Sequence, residues 1–149
     1  MSEGPVPPPP RAARLPLAPA VAARPLWTPS GCTDPCQKIS GKTARRLCDA
    51  AALATASAFA VPVGELHAMT RGAPYVAFAR QSAMYLAHVA FGVTYSEVGR
   101  CFGRDRTTAS HACRLIEERR DDPAVDAVLA SLEHACGALR RRLSAPVQP

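Results

Sequence analysis

From Gly103 to Arg114 the chain reads Gly-Arg-Asp-Arg-Thr-Thr-Ala-Ser-His-Ala-Cys-Arg. Most of these side chains end in hydrogen-bonding groups. Arg104, Arg106 and Arg114 carry guanidinium forks, Asp105 a carboxylate, Thr107, Thr108 and Ser110 hydroxyls, and His111 an imidazole. A guanidinium fork pairs in two-pronged fashion with a carboxylate, a phosphate or the acceptor edge of a guanine. Catalysis is a poorer fit. The four histidines have no nucleophile or carboxylate partner at a recognisable spacing, and His88 sits in an apolar run where it reads as a packed residue. The chemistry expected here is binding, and the chain is not expected to be an enzyme.

The elements around these residues can be read outward from them. Asp105 is placed to cap a helix that begins at Arg106, accepting from the free amides near Thr107 and Thr108. At about 100° per residue from Arg106, the positions of Ala109, Ala112, Cys113 and Ile116 fall on one stripe. Thr107, Ser110, His111 and Arg114 fall on another, which carries no acidic residue. Glu117 and Glu118 lie only at the far end. A solvated helix face generally mixes both signs of charge; this one gathers donors at its N-terminal half, where the helix dipole also favours anions. Upstream, Thr94-Tyr95-Ser96-Glu97 has the form of a capping box for a short helix over 95–102, which Gly103 would end in a left-handed turn. Two short helices around a glycine turn make a helix-turn-helix, spanning about 94–120, and such motifs read DNA bases with the start of the second helix. The alternative is a plain surface helix.

The remaining segments are also helical. Residues 43–60 are alanine-rich, 61–69 hold a break and a short turn, 70–74 ("TRGAP") are a loop, and 75–91 are apolar on most sides and should form the central helix, closed by Gly92. A last helix follows Pro123, with Val125, Val128, Leu129, Leu132, Ala135 and Cys136 on one face. That face is expected to fold back on the bundle, with homodimerisation as the alternative. Arg140, Arg141 and Arg142 read as a solvated helix end, with extra phosphate contacts as the alternative. No run alternates with period two. The fold class is all-α: a small helical bundle over 40–142, preceded by a Pro-rich disordered arm over 1–39 and followed by a tail over 143–149. Ten of the fifteen prolines lie in that arm, which reads as a spacer, or alternatively as a docking segment for a partner. Trp27, the only tryptophan, could pin it to the domain.

Composition limits the classes further. Basic residues outnumber acidic ones, 18 to 12, and almost all are arginine. Arginine suits phosphate and guanine, although a GC-rich codon usage produces the same bias. The excess is concentrated in residues 40–120, a mild footprint of a polyanion partner. No run approaches the roughly 18 apolar residues of a membrane span, and Met1-Ser2-Glu3 does not open a signal peptide, so a cytoplasmic protein with reduced thiols is expected. Cys48, Cys101, Cys113 and Cys136 read as small core residues. Cys32 and Cys36, in "CTDPC", lack a second pair at zinc-site spacing, so no metal is expected. "SGKT" at 40–43 is only half a phosphate loop. Cys36 stands where its first glycine belongs, and no apolar strand precedes it, so no nucleotide or other cofactor is expected.

The stretch "YSEVGRCFGRDRTTASHACRLIEE" resembles the C-terminal DNA-binding domain of the bacterial chromosomal replication initiator DnaA. That family opens its second helix with Gly-Arg-Asp-His-Thr-Thr, followed by His-Ala. Arg104, Asp105, Thr107, Thr108, His111 and Ala112 match it, and Arg80-Gln81 match the Arg-Gln that opens the family's central helix. The resemblance runs from about residue 43 to 135. It implies double-stranded DNA as the partner, with Asp105, Arg106 and Thr107 reading bases and Thr108 and His111 near them. It also implies Arg80, with Gln81 beside it, on phosphate, and Arg71 in the minor groove. The helical stripe adds Ser110 and Arg114, and the signature adds Arg104.

Three features depart from the family: one glycine of a Gly-Gly pair before Arg104 is missing, Arg106 replaces a histidine, and the basic loop keeps only Arg71. DnaA joins this domain to an ATPase, whereas this chain reads as the domain alone. The expectation is sequence-specific binding at DnaA-box-like sites, regulating transcription or replication initiation near the nucleoid without ATPase activity. The competing reading is a protein-interaction adaptor that uses the bundle as scaffold and the arm as docking segment.

Overall fold

Pro74 and Gly92 bracket the helix around which the others pack. In the computed structural model, residues 39–70 and 72–144 are described and form six helices with no strands among them. They are α1 (Gly41–Phe59), α2 (Val63–His67), α3 (Pro74–Val89), α4 (Tyr95–Cys101), α5 (Arg106–Arg119) and α6 (Pro123–Ser144). The expected all-α bundle is observed. Residues 1–38 of the proline-rich arm, with Trp27 and the "CTDPC" cysteines, and Arg71 lie outside the described residues, whereas Ile39 packs against the core. The last helix runs to Ser144, two residues past the expected edge of the bundle.

Helix α3 touches all five other helices. Its start uses Pro74, whose fixed φ suits a first-turn position. Ala79, Ala83 and Ala87 are fully enclosed. Such small side chains let α1, itself lined by Ala44, Ala51, Ala52 and Ala56, come close. Larger groups fill the spaces between: Leu66, Val76, Met84, Leu86, Phe91, Val98, Phe102, Ile116 and Leu129. The buried Thr55 and Ser82 hydroxyls are satisfied locally, Thr55 donating to the Ala51 carbonyl and Ser82 to that of Phe78. Cys48, Cys101, Cys113 and Cys136 are buried free thiols, as their apolar settings suggested. Burial first, and then the charge of Glu117, pushes the Cys113 thiol up to about 12.

Gly92 ends α3 in the left-handed region at φ 72°, and the Val93 amide returns to the Ala87 carbonyl at 3.1 Å. His88 then fixes the bend into α4. Its Nδ1 lies 2.8 Å from the Val93 carbonyl, and its ring stacks on Tyr95 at 3.9 Å. It is a packed residue, in keeping with the apolar run that carries it. Helix α6 folds back on α1 and α3, burying Leu129 and Cys136 and half-burying Val125, Val128 and Leu132. Ala135, expected on that face, is exposed.

Candidate nucleic-acid interface

The helix-turn-helix is built from two capped starts and one glycine turn. Thr94 caps α4: its Oγ1 accepts from the Glu97 amide at 3.4 Å and donates to the Glu97 carboxylate at 3.1 Å. The expected box is therefore closed hydroxyl-to-carboxylate. Helix α4 stops at Cys101, and Gly103 turns the chain at φ 62°. Asp105 caps α5, with Oδ1 accepting from the Thr108 amide at 2.6 Å. That amide bond, with the Thr108 hydroxyl and the Thr107 amide, holds the Asp105 carboxyl below its ordinary value.

Sequence reasoning passed over Gly99, inside α4. A Cβ there would lie 2.7 Å from the Arg104 carbonyl oxygen and 3.0 Å from the Asp105 carbonyl. The Arg104 amide donates to the Gly99 carbonyl at 2.7 Å. The two arms of the motif approach so closely only because this residue has no side chain. Its signal was an isolated glycine in a helical pattern, which costs helix stability and so calls for a packing reason.

The polar residues of α5 then separate from the apolar ones as their spacing required. Ala109, Ala112, Cys113 and Ile116 are buried. Arg106, Thr107, Thr108, Ser110, His111 and Arg114 are exposed. Arg114 Nη2 donates to His111 Nδ1 at 3.3 Å, grouping two of these heads. No acidic side chain occurs between Arg106 and Arg114.

Three expected contact residues stand elsewhere. Arg80 lies inside α3 rather than at its opening, because the helix already begins at Pro74. Its side chain is buried, donating Nε to the Leu66 carbonyl at 2.9 Å and Nη2 to the Glu65 carbonyl at 2.7 Å. Gln81 beside it is half-buried. Arg104 is half-buried and directs Nη1 to the Met69 carbonyl and Nη2 to that of Ala68. Arg71 lies outside the described residues.

A short capped helix, a glycine turn and a second helix with a donor-rich, acid-free outer stripe define a helix-turn-helix DNA-binding domain. Residues 49–116 match the family described as the bacterial dnaA protein helix-turn-helix, which supports a DnaA-type C-terminal DNA-binding domain in this segment. The match begins within α1 and ends within α5, narrower than the resemblance read from sequence. Among the described residues no group of His, Cys, Asp and Glu could hold a metal ion, and no helix is long and apolar enough to cross a membrane.

Proposed function

We propose that this domain recognises specific double-stranded sites related to DnaA boxes, laying the start of α5 in the major groove. In this reading Asp105, Arg106 and Thr107 face base edges, and Thr108, Ser110, His111 and Arg114 face bases or the flanking backbone. The observation that carries it is the outer stripe of α5: exposed cationic and neutral donors, no carboxylate between Arg106 and Arg114, and the opposite face committed to the core. Arg106, in place of the family histidine, favours a guanine edge, so the preferred site differs from the family's at that step. The role is regulation of transcription or of replication initiation through such sites, close to the nucleoid.

Nucleotide takes no part in this function. Ser40 stands at the N-cap of α1, and Gly41, Lys42 and Thr43 form the helix's first turn; a phosphate loop also opens a helix in this way, but Cys36 stands where its first glycine belongs. Added ATP should leave DNA affinity unchanged.

A module of this size buries only about 600–1,000 Å² on DNA, so affinity should be modest and strongly salt-dependent. Selection of bound fragments from random duplex DNA identifies the site. On that site Arg106→Ala and Thr107→Ala should each lose about 1–3 kcal/mol of discrimination against mismatched sequences. Equal binding of parent and variants to every duplex would transfer the case to a protein-interaction adaptor.

A further inference from the structure

Arg80 and Arg104 come from different elements and converge on the same strip of backbone. Arg80 takes the carbonyls of Glu65 and Leu66; Arg104 takes those of Ala68 and Met69. These are carbonyls of the last turn of α2 and the two just beyond it; that of Glu65 also accepts from the Ala68 amide at 3.3 Å. Neither arginine forms an ion pair among the described residues. Two more contacts join the same strip to the helix-turn-helix. The His67 ring stacks on Phe102 at 5.0 Å with the planes 10° apart. The Met69 sulfur lies 3.2 Å from where a Cβ on Gly103 would stand. The residues entering the α2–α3 connection are thus fastened to the turn by backbone, ring and thioether contacts together.

Each fork spends two of its five N–H donors on these carbonyls, which fixes the guanidinium in place. Burial, and then the neighbouring Arg104 charge, lowers the Arg80 pKa. A lysine ammonium holds its three donors on one atom and lacks the planar fork that presents two nitrogens side by side to two carbonyls.

Resting on the DNA-binding reading above, we propose that Arg104 and Arg80 are positioning residues for sequence recognition. They clasp residues 65–69, at the end of α2, to the helix-turn-helix turn, so that this strip and the start of α5 meet the duplex in one fixed relation.

The test uses the full chain with Arg104→Lys, Arg104→Ala and Arg80→Lys, each checked for helix content by circular dichroism. Affinities for the selected duplex and for a random duplex are measured over a salt series, and amide exchange of residues 65–70 is followed in the free protein. A clasp predicts at least a tenfold loss of preference for the selected duplex in all three variants, lysine included. The slope of log affinity against log salt stays at the parent's value, and amides 65–70 exchange faster without DNA. A phosphate contact predicts the opposite pattern: Arg104→Ala loses affinity equally on both duplexes, its slope falls by about 0.9, and lysine restores binding. That pattern, or unchanged exchange at 65–70, overturns the proposal. If the parent itself shows no sequence preference, the DNA-site reading fails, while the exchange measurement still decides whether the clasp exists. Should Arg104→Ala fail to fold, the two lysine variants carry the comparison alone.

Discussion

Asp105 combines two tasks in one carboxylate. Its Oδ1 caps α5, and its position beside Arg106 and Thr107 puts it at the proposed base-reading edge. The pH dependence of the cap comes from its lowered pKa. The contribution is complete above the ordinary value of 3.8 and is lost as pH falls through the lower folded-state value. Asp105→Asn keeps a capping oxygen but no titration. The stability of the parent relative to Asp105→Asn should therefore be constant from neutral pH down to about 4 and should shrink below it, as read by paired urea melts. A difference that grew on acidification would contradict the cap. The assignment of Asp105 as a cap was legible in the sequence because the interaction spans three residues. The placement of Arg80 was not: in sequence, an arginine committed to carbonyls 14 and 15 residues away looks the same as one awaiting phosphate.

At the scale of elements, the turn between α4 and α5 is set by close backbone approach. Gly99→Ala would drive a methyl into the Arg104 and Asp105 carbonyls, neither of which can swing aside as a side chain can. The motif must open, and about 2 kcal/mol or more of stability should be lost, visible in chemical unfolding, together with sequence-specific binding. A variant as stable as the parent would mean that the two arms can separate freely. Helix α5 was readable from Arg106 to Ile116 because its two stripes keep a single period and both ends carry local signals. The alanine bias of α1 begins only at Thr43, and the helix itself starts two residues earlier, at Gly41 after Ser40. The contacts that link α2 to the turn involve partners up to 36 residues apart, and no local pattern encodes them.

For the whole molecule, the back end of α5 matters as much as its front. Arg120, at its C-terminal boundary, reaches Asp126 and Glu133 of α6 and donates to the Tyr85 hydroxyl on α3 at 2.8 Å. Burial opposes its charge, but the bonds to Asp126 and Tyr85 and the charge of Glu133 outweigh that and raise its pKa. Arg120→Ala strands two carboxylates and a buried phenol. It should cost about 2 kcal/mol in urea unfolding, whereas Arg119→Ala, whose guanidinium only overlies Phe78, should cost less than half of that. Equal costs for the two would remove Arg120 from this role.

The family match stops at residue 116, before Arg120 and all of α6. An engineer who excised residues 49–116 for grafting into another scaffold would carry the reading edge but leave behind the anchor at its rear. A graft that keeps this anchor reaches past Glu133, and the bounds of the family match alone draw the cut too early.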